Sequence, residues 1–271
     1  MIYFLKIFIY SVLICSLIFT IISIPSSYAQ TIPITKSDYM NKVIFDGKWT
    51  FVQEWKPTSL TTIDTPSGTI YIRSAHQGNS IYVLVDSAFD TKPVSGSDRA
   101  SVCFDSNINK TAIANSNDYC FVSIVGQNST SILQGGSPLA FTDNFKKIVS
   151  PFGVIGIGGI SGQYDVYGGV PHPSFEFKIP KDLLGNSDSY GFFVQFYDAN
   201  SNKFYSWPQA QDGTYYSHIP SPDKWGEIIS PDHTMPESQF PIFVLVLAFL
   251  IFIYFNRSIS RHFKNNLFKQ I

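Results

Sequence analysis

The chain has 271 residues, of which 44% are hydrophobic and only 14% charged, and its formal net charge is −1. All twenty acidic residues lie between positions 30 and 239, whereas five of the nineteen basic residues lie outside that stretch. The central part is therefore acidic and lacks the basic patch that phosphates require, which argues against a nucleic-acid partner.

The first 29 residues have the pattern of a secretory signal peptide. Lys6 is followed by an uncharged apolar run over residues 7–24, and small residues precede a cleavage point after Ala29. The apolar run is long for a signal, so an uncleaved N-terminal membrane anchor is the alternative. Residues 30–42 form a polar leader. The pattern predicts that the domain which follows is exported.

Residues 43–229 are predicted to form a single domain made of about ten strands. Short apolar or alternating runs are separated by turn residues, and the one helical turn expected, at residues 180–185, begins with Pro and ends with Gly. This pattern predicts an all-β fold, an antiparallel jelly-roll-like β-sandwich. The predicted strands are residues 49–55, 69–73, 80–86, 99–105, 118–124, 152–160, 174–179, 190–198, 203–207 and 225–229.

Cys103 and Cys120 lie at matching depths in two of these runs, and each is followed directly by Phe. Antiparallel pairing of the runs places the two sulfur atoms side by side, within bridging distance. Cys15 leaves with the signal peptide, so an exported domain keeps an even number of cysteines in an oxidising compartment. The sequence therefore predicts a disulfide, with two buried free thiols as the alternative.

The polar loop between the two cysteines is a candidate calcium site. Oxygen-bearing side chains alternate at Asp105, Asn107 and Asn109, and Asp118 lies just beyond the loop. Calcium binds six to eight oxygens, but Asx-rich turns have the same composition without a metal. No other cofactor is predicted. Asn109 and Asn128 begin Asn-X-Ser/Thr sequons and are predicted glycosylation sites.

Several short motifs follow one another in a characteristic order along the domain. They are Asp46-Gly47 before Trp49, residues 80–86, residues 102–105 with Asp118, residues 175–180, and residues 225–228. Their order resembles that of the carbohydrate-binding modules of family 9 and the related DOMON-like sandwiches. The resemblance covers nearly the whole domain and implies a jelly-roll fold that binds a glycan.

A sugar site needs aromatic rings that stack on the sugar and polar side chains that hold its hydroxyls. Trp207, Tyr215 and Tyr216 lie in the turn-rich stretch before the last predicted strand and are the predicted ligand-binding residues. The alternative for Trp207 is that its ring fills the edge of the sandwich.

The sequence predicts neither an enzyme nor any catalytic residue. The histidines are scattered without metal-ligand spacing, and no Gly-X-Ser-X-Gly nucleophile motif occurs. Two functions remain. One is a binding module for a glycan or another component of the cell envelope, and the other is a structural or adhesive envelope protein with no small-molecule ligand.

The C-terminal part is predicted to anchor the protein at the cell surface. Residues 230–239 form a polar stalk, residues 240–256 an apolar transmembrane helix, and residues 257–271 a basic tail that stays cytoplasmic. A buried core helix is the alternative. Pro236-Glu237, the apolar run and the basic end resemble archaeal sorting signals of the PEF-CTERM kind, with a two-residue insertion before Phe240. The expected topology is a single-pass membrane protein with its domain outside.

Overall fold

The computed structural model describes residues 30–139 and 142–231. In this part of the chain, fourteen strands, one helical turn (α1, Lys181–Leu184) and two short 3-10 helices (Met40–Lys42 and Pro222–Lys224) are present. The strands are β1 Thr31–Pro33, β2 Thr35–Lys36, β3 Ser59–Thr65, β4 Gly68–Gln77, β5 Ser80–Asp86, β6 Arg99–Asp105, β7 Asp118–Ile124, β8 Ser131–Gln134, β9 Lys146–Ile148, β10 Ile155–Ser161, β11 His172–Pro180, β12 Ser189–Asp198, β13 Lys203–Trp207 and β14 Gly226–Ile229.

The strands form two sheets. The first has the order β1-β14-β12-β6-β7-β8-β9, with β13 also paired to β12, and the second has the order β10-β11-β5-β4-β2, with β3 also paired to β4. One large apolar cluster joins them, because alternate residues of strands in both sheets contribute to it. The predicted all-β sandwich is therefore confirmed. The largest fully buried side chains of this cluster are Phe104, Phe121, Phe175, Phe177, Phe192 and Phe196.

The outer face of each sheet carries a smaller apolar cluster of its own. Trp49 and Trp55 cover the second sheet, and Phe193 and Trp225 pack with the two cysteines on the first. Strand β12 has buried residues at nearly every position for this reason. Covered outer faces explain why the strands show continuous apolar runs instead of strict alternation.

The predicted disulfide between Cys103 and Cys120 is confirmed. The two residues are directly opposite each other in the antiparallel pairing of β6 with β7, and their Cα atoms are 4.0 Å apart. Both are fully buried in the outer cluster of the first sheet. The bridge joins neighbouring strands of one sheet and leaves the contact between the two sheets to apolar packing.

The segment predicted as a polar leader belongs to the sandwich. Strand β1 pairs in parallel with β14, and β2 pairs in parallel with β4. Ile32 and Ile34 bury their side chains in the main core, which gives this short segment an apolar anchor between its polar residues. Such pairing with distant strands leaves no local signature in the sequence.

The predicted signal peptide, transmembrane helix and basic tail, with the PEF-CTERM-like motif, lie outside the described residues. Within residues 30–139 and 142–231, no helix is long and apolar enough to cross a membrane. Export and anchoring stay predictions.

Candidate functional site

A surface cleft opens where the turns after Phe45 face the loop between β10 and β11. Its volume is about 410 Å³. The first wall comes from residues 46–50 and the second from residues 160–164. The lining residues are Asp46, Lys48, Trp49, Thr50, Ile160, Ser161, Gly162, Gln163, Tyr164 and Pro171.

Glu176 on β11 fixes the first wall from below. Its side chain is fully buried and accepts hydrogen bonds from the backbone N–H groups of Asp46 (2.9 Å) and Gly47 (2.8 Å). The indole N–H of Trp55 donates a third bond of 2.9 Å to the other carboxyl oxygen. Burial raises the pKa of Glu176 to about 8, although the donors of Trp55 and Gly47 favour the ionised form.

Glu54 fixes the same wall from within. Its two carboxyl oxygens accept hydrogen bonds from the backbone N–H groups of Ile44 (2.8 Å) and Thr50 (2.6 Å). The prediction of a strand at residues 49–55 was wrong, because these residues form turns. Several backbone N–H groups of this wall therefore donate hydrogen bonds to buried carboxylates and not to a neighbouring strand.

The first wall also packs backbone to backbone against β10. Gly47 has a φ of +75°, and a Cβ atom added to it would lie 2.3 Å from the nitrogen of Gly159. A side chain at either position would push the two segments apart. Residues 155–160 of the strand predicted at 152–160 belong to β10, and the glycines there permit this close backbone contact.

His172 stabilises the second wall through two buried carboxylates. Its Nε2 donates to Oδ2 of Asp86 at 3.3 Å and to Oδ2 of Asp165 at 3.2 Å, and its Nδ1 donates to the carbonyl of Val170 at 2.7 Å. All of these oxygens accept, so both ring nitrogens carry protons. Burial alone would lower the pKa of His172, but the bonds with Asp165 and Asp86 raise it to about 10.

Ser161 joins the two walls. Its hydroxyl accepts a hydrogen bond of 3.0 Å from the backbone N–H of Trp49 and donates one of 2.5 Å to Asp165. His172, Asp86 and Asp165 lie close enough together to ligate a metal ion, but the imidazolium already offsets the charge of the carboxylates. The hydrogen bonds therefore hold both sides of the cleft in a defined position.

The charge of His172 predicts a pH-dependent stability. Between pH 6.5, its ordinary pKa, and about 10, the folded protein keeps a proton that the unfolded chain has lost, so rising pH favours unfolding. We expect the free-energy difference between wild type and His172→Gln to be largest below pH 6.5 and to shrink towards pH 10. Urea unfolding at several pH values measures it, and a constant difference would contradict the assignment.

The mouth of the cleft combines one aromatic ring with polar side chains. Tyr164 is 59% exposed, and the side chains of Gln163 and Lys48 are exposed beside it. Asp46 is half-buried and accepts hydrogen bonds from the backbone N–H of Lys48 (3.0 Å) and the hydroxyl of Thr50 (2.9 Å). A ring face with amide, ammonium and carboxylate groups nearby can bind a ligand that is apolar on one face and polar at its edges.

The structure divides the predicted ligand-binding residues between two sides of the first sheet. Trp207 is half-buried, and its ring centroid lies 6.1 Å from that of Phe192 in the main core. Tyr215 packs on the same core, and its hydroxyl donates to the carbonyl of Asp64 at 3.1 Å. Tyr216 packs on the outer cluster that contains the disulfide. Their role in ligand binding stays a prediction.

The predicted calcium residues lie at the end of the hairpin formed by β6 and β7. Asp105 and Asp118 are opposite each other and fully buried, and Asp105 accepts a hydrogen bond from the backbone N–H of Asn107 at 3.2 Å. Asn109 accepts a bond of 3.3 Å from the side chain of Asn115, which donates its backbone N–H to Asp118 at 2.6 Å. The second oxygen of Asp118 is buried without a partner. Calcium binding here stays a prediction.

Both predicted glycosylation sites are accessible. Asn109 lies in the loop between β6 and β7, and Asn128 lies in the loop between β7 and β8. Both residues are exposed. The geometry permits attachment of a glycan at either position, and the modification itself stays a prediction.

Sequence reasoning did not single out Gln163 and Tyr164. Both follow the glycine-rich strand in the least regular part of the predicted domain, where neither a two-residue nor a helical period is visible. The sequence did show a loop with polar and aromatic residues between two predicted strands. Such a loop indicates a candidate binding site, because binding residues often lie on loops held by a rigid scaffold.

Among known proteins, the chain is similar to solved structures only at the level of the fold. No protein-family model and no curated protein matches the chain. A family 9 carbohydrate-binding module of Caldicellulosiruptor kristjanssonii in complex with cellotriose is 13% identical and covers 76% of this chain and 98% of its own, with a TM-score of 0.45. Its complex with glucose gives 13% identity, coverages of 74% and 95%, and a TM-score of 0.43. The DOMON-like resemblance stays a prediction.

Proposed function

We propose that this β-sandwich binds a carbohydrate in the cleft between its two hydrogen-bonded walls. The observation that carries the proposal is the ring of Tyr164, 59% exposed at the mouth of a cleft bordered by polar side chains. An exposed tyrosine adds little to the core, and its ring face is free to pack against the C–H face of a sugar.

The groups around the ring suit the hydroxyls of a sugar. The amide of Gln163 can donate and accept, the ammonium group of Lys48 donates, and the carboxylate of Asp46 accepts. The walls are already fixed by Glu176 and His172, so little conformational freedom is lost when a ligand binds. A preformed cleft with few polar groups of defined position is typical of small-ligand sites.

Replacing Tyr164 by alanine is expected to weaken glycan binding by about tenfold or more, because stacking on an aromatic ring contributes about 1–2 kcal/mol. The free energy of unfolding should change by less than about 0.5 kcal/mol, as for other surface substitutions. Calorimetric titration with a glycan chosen by array screening, together with thermal melting, measures both quantities.

Tyr39→Ala is the matched control, because Tyr39 is 49% exposed and does not line the cleft. It should leave glycan affinity unchanged. Trp207→Ala distinguishes the cleft from the region predicted from sequence. If Trp207→Ala abolishes binding without loss of stability while Tyr164→Ala binds normally, the sugar site lies at Trp207 and the cleft proposal is wrong.

We also propose that the sandwich is displayed outside the cell on a single membrane anchor. The apolar runs at residues 7–24 and 240–256 and the basic tail at residues 257–271 support this topology. A surface position gives a glycan-binding domain access to envelope or neighbouring carbohydrates. A structural or adhesive role without a small ligand is the alternative function.

A further inference from the structure

Three buried aspartates lie together at a point separate from the cleft. Asp198 is the last residue of β12 and Asp98 directly precedes β6. The antiparallel pairing of these strands places Tyr197 opposite Arg99, so the next residues, Asp98 and Asp198, meet at the end of the ladder. Asp90 reaches the same point from the connection between β5 and β6. One carboxyl oxygen of each aspartate lies within 4.8 Å of those of the other two.

Backbone and hydroxyl donors orient two of these carboxylates. Asp98 accepts hydrogen bonds from the backbone N–H groups of Val94 (2.5 Å) and Ala199 (2.8 Å). Asp198 accepts from the backbone N–H (3.0 Å) and the hydroxyl (2.6 Å) of Ser201. Each oxygen keeps a second lone pair, so these bonds fix the carboxylates and still permit them to ligate an ion.

Asp90 has an oxygen without a partner. The residue is only 4% exposed, and one of its oxygens accepts a bond of 3.1 Å from the backbone N–H of Lys92. The other oxygen, Oδ2, is buried and has no hydrogen-bond partner. A buried carboxylate oxygen left in this state is costly unless something positive faces it.

The acidic charge of this cluster has no lysine or arginine partner among the described residues. Within residues 30–139 and 142–231, no lysine or arginine forms an ion pair with Asp90, Asp98 or Asp198. Burial raises the pKa of Asp90 to about 6, and the negative charges of Asp198 and Asp98 add to the effect. The positive charge of His172 lowers the pKa of Asp90 only in part, because the ring of His172 is hydrogen-bonded to other carboxylates.

We propose that Asp90, Asp98 and Asp198 bind a calcium ion. The three side chains supply only oxygen, which suits a hard cation, and contain none of the nitrogen or sulfur that zinc and copper favour. Oxygens bound to one calcium at about 2.4 Å are separated by at most about 4.8 Å, and this cluster meets that limit. Magnesium retains several waters and demands octahedral geometry, so the buried cluster fits calcium better.

The proposed ion has a structural role. Asp90 belongs to the connection that leaves the second sheet at β5, whereas Asp98 and Asp198 belong to the first sheet. A calcium ion shared by the three would clamp that connection to the first sheet. The site lies at the opposite end of β6 from Asp105, so it is separate from the calcium loop predicted from sequence.

The test uses the full chain, stripped of metal with EGTA and then titrated with calcium chloride by calorimetry and thermal melting. Wild type should bind calcium and melt at a higher temperature in 1 mM calcium than in EGTA. Asp90→Asn should bind calcium at least tenfold more weakly. In EGTA, however, this variant should melt no lower than wild type, because a repelling charge has been removed.

Asp64→Asn is the control, since Asp64 is exposed and distant in sequence from the cluster, and it should respond to calcium like wild type. Absence of calcium binding by wild type at 1 mM, or equal binding by Asp90→Asn, would overturn the proposal. So would loss of the calcium response in Asp118→Asn alone, which would locate the ion in the other loop. An equal rise in melting temperature with magnesium would overturn the assignment to calcium.

Discussion

Replacing Glu176 by alanine is expected to lower the free energy of unfolding by about 3–5 kcal/mol. The substitution leaves the N–H groups of Asp46, Gly47 and Trp55 without their acceptor and opens a cavity between β11 and the first wall of the cleft. Guanidinium unfolding of the full chain, followed by tryptophan fluorescence, measures the loss. The same variant should bind glycans poorly, because residues 46–50 lose their fixed position.

Glu227→Ala is the control for this prediction. Glu227 forms an ion pair with Lys110 near the surface, and removal of such a pair costs about 0–1 kcal/mol. If Glu176→Ala is no more destabilised than Glu227→Ala, the carboxylate of Glu176 does not organise the cleft wall. The cleft would then not be held in a preformed shape by Glu176.

Removal of the disulfide is the second change with a large expected effect. The double variant Cys103→Ala/Cys120→Ala should lose about 3 kcal/mol of unfolding free energy, since the bridge closes a loop with a sequence separation of 17 residues. Urea unfolding in the presence and absence of dithiothreitol measures it. Wild type should lose stability in the reductant, whereas the double variant should be insensitive. Equal stability of the two proteins under oxidising conditions would contradict the prediction.

The sandwich was predictable where the signal is local and strong. Tyr190 to Asp198 is almost continuously apolar, and the matching depth of Cys103 and Cys120 determines the register of their hairpin. Strands of this kind can be recognised in a sequence, because burial on both faces requires apolar side chains at successive positions. The helical turn after Pro180 was equally visible, because Pro and Gly mark its two ends.

The cleft was not predictable because its walls depend on residues far apart in sequence. The alternation of residues 49–55 is typical of a strand, yet Glu176, more than 120 residues away, accepts hydrogen bonds from the backbone N–H of Gly47, just before this segment, and from the indole N–H of Trp55. The local pattern of apolar and polar residues contains no information about a contact between such distant residues. The same holds for β1 and β2, whose parallel partners are β14 and β4.

The predicted aromatic site illustrates a different limit. Tyr215 and Tyr216 are adjacent in sequence and were grouped for that reason, but their rings pack on opposite faces of the first sheet. Successive side chains of an extended chain point to opposite sides, so adjacency in sequence is weak evidence for a shared groove. Tyr164, in an irregular loop that sequence reasoning passed over, presents a more exposed ring than either.

Glycan-array screening of the full chain beside its Tyr164→Ala variant tests whether the cleft binds a carbohydrate. Wild type is expected to bind a defined subset of glycans, and the variant, with an unchanged melting temperature, is expected to lose this binding. Absence of binding to any glycan by wild type, or the same glycans bound equally by both proteins, would contradict it.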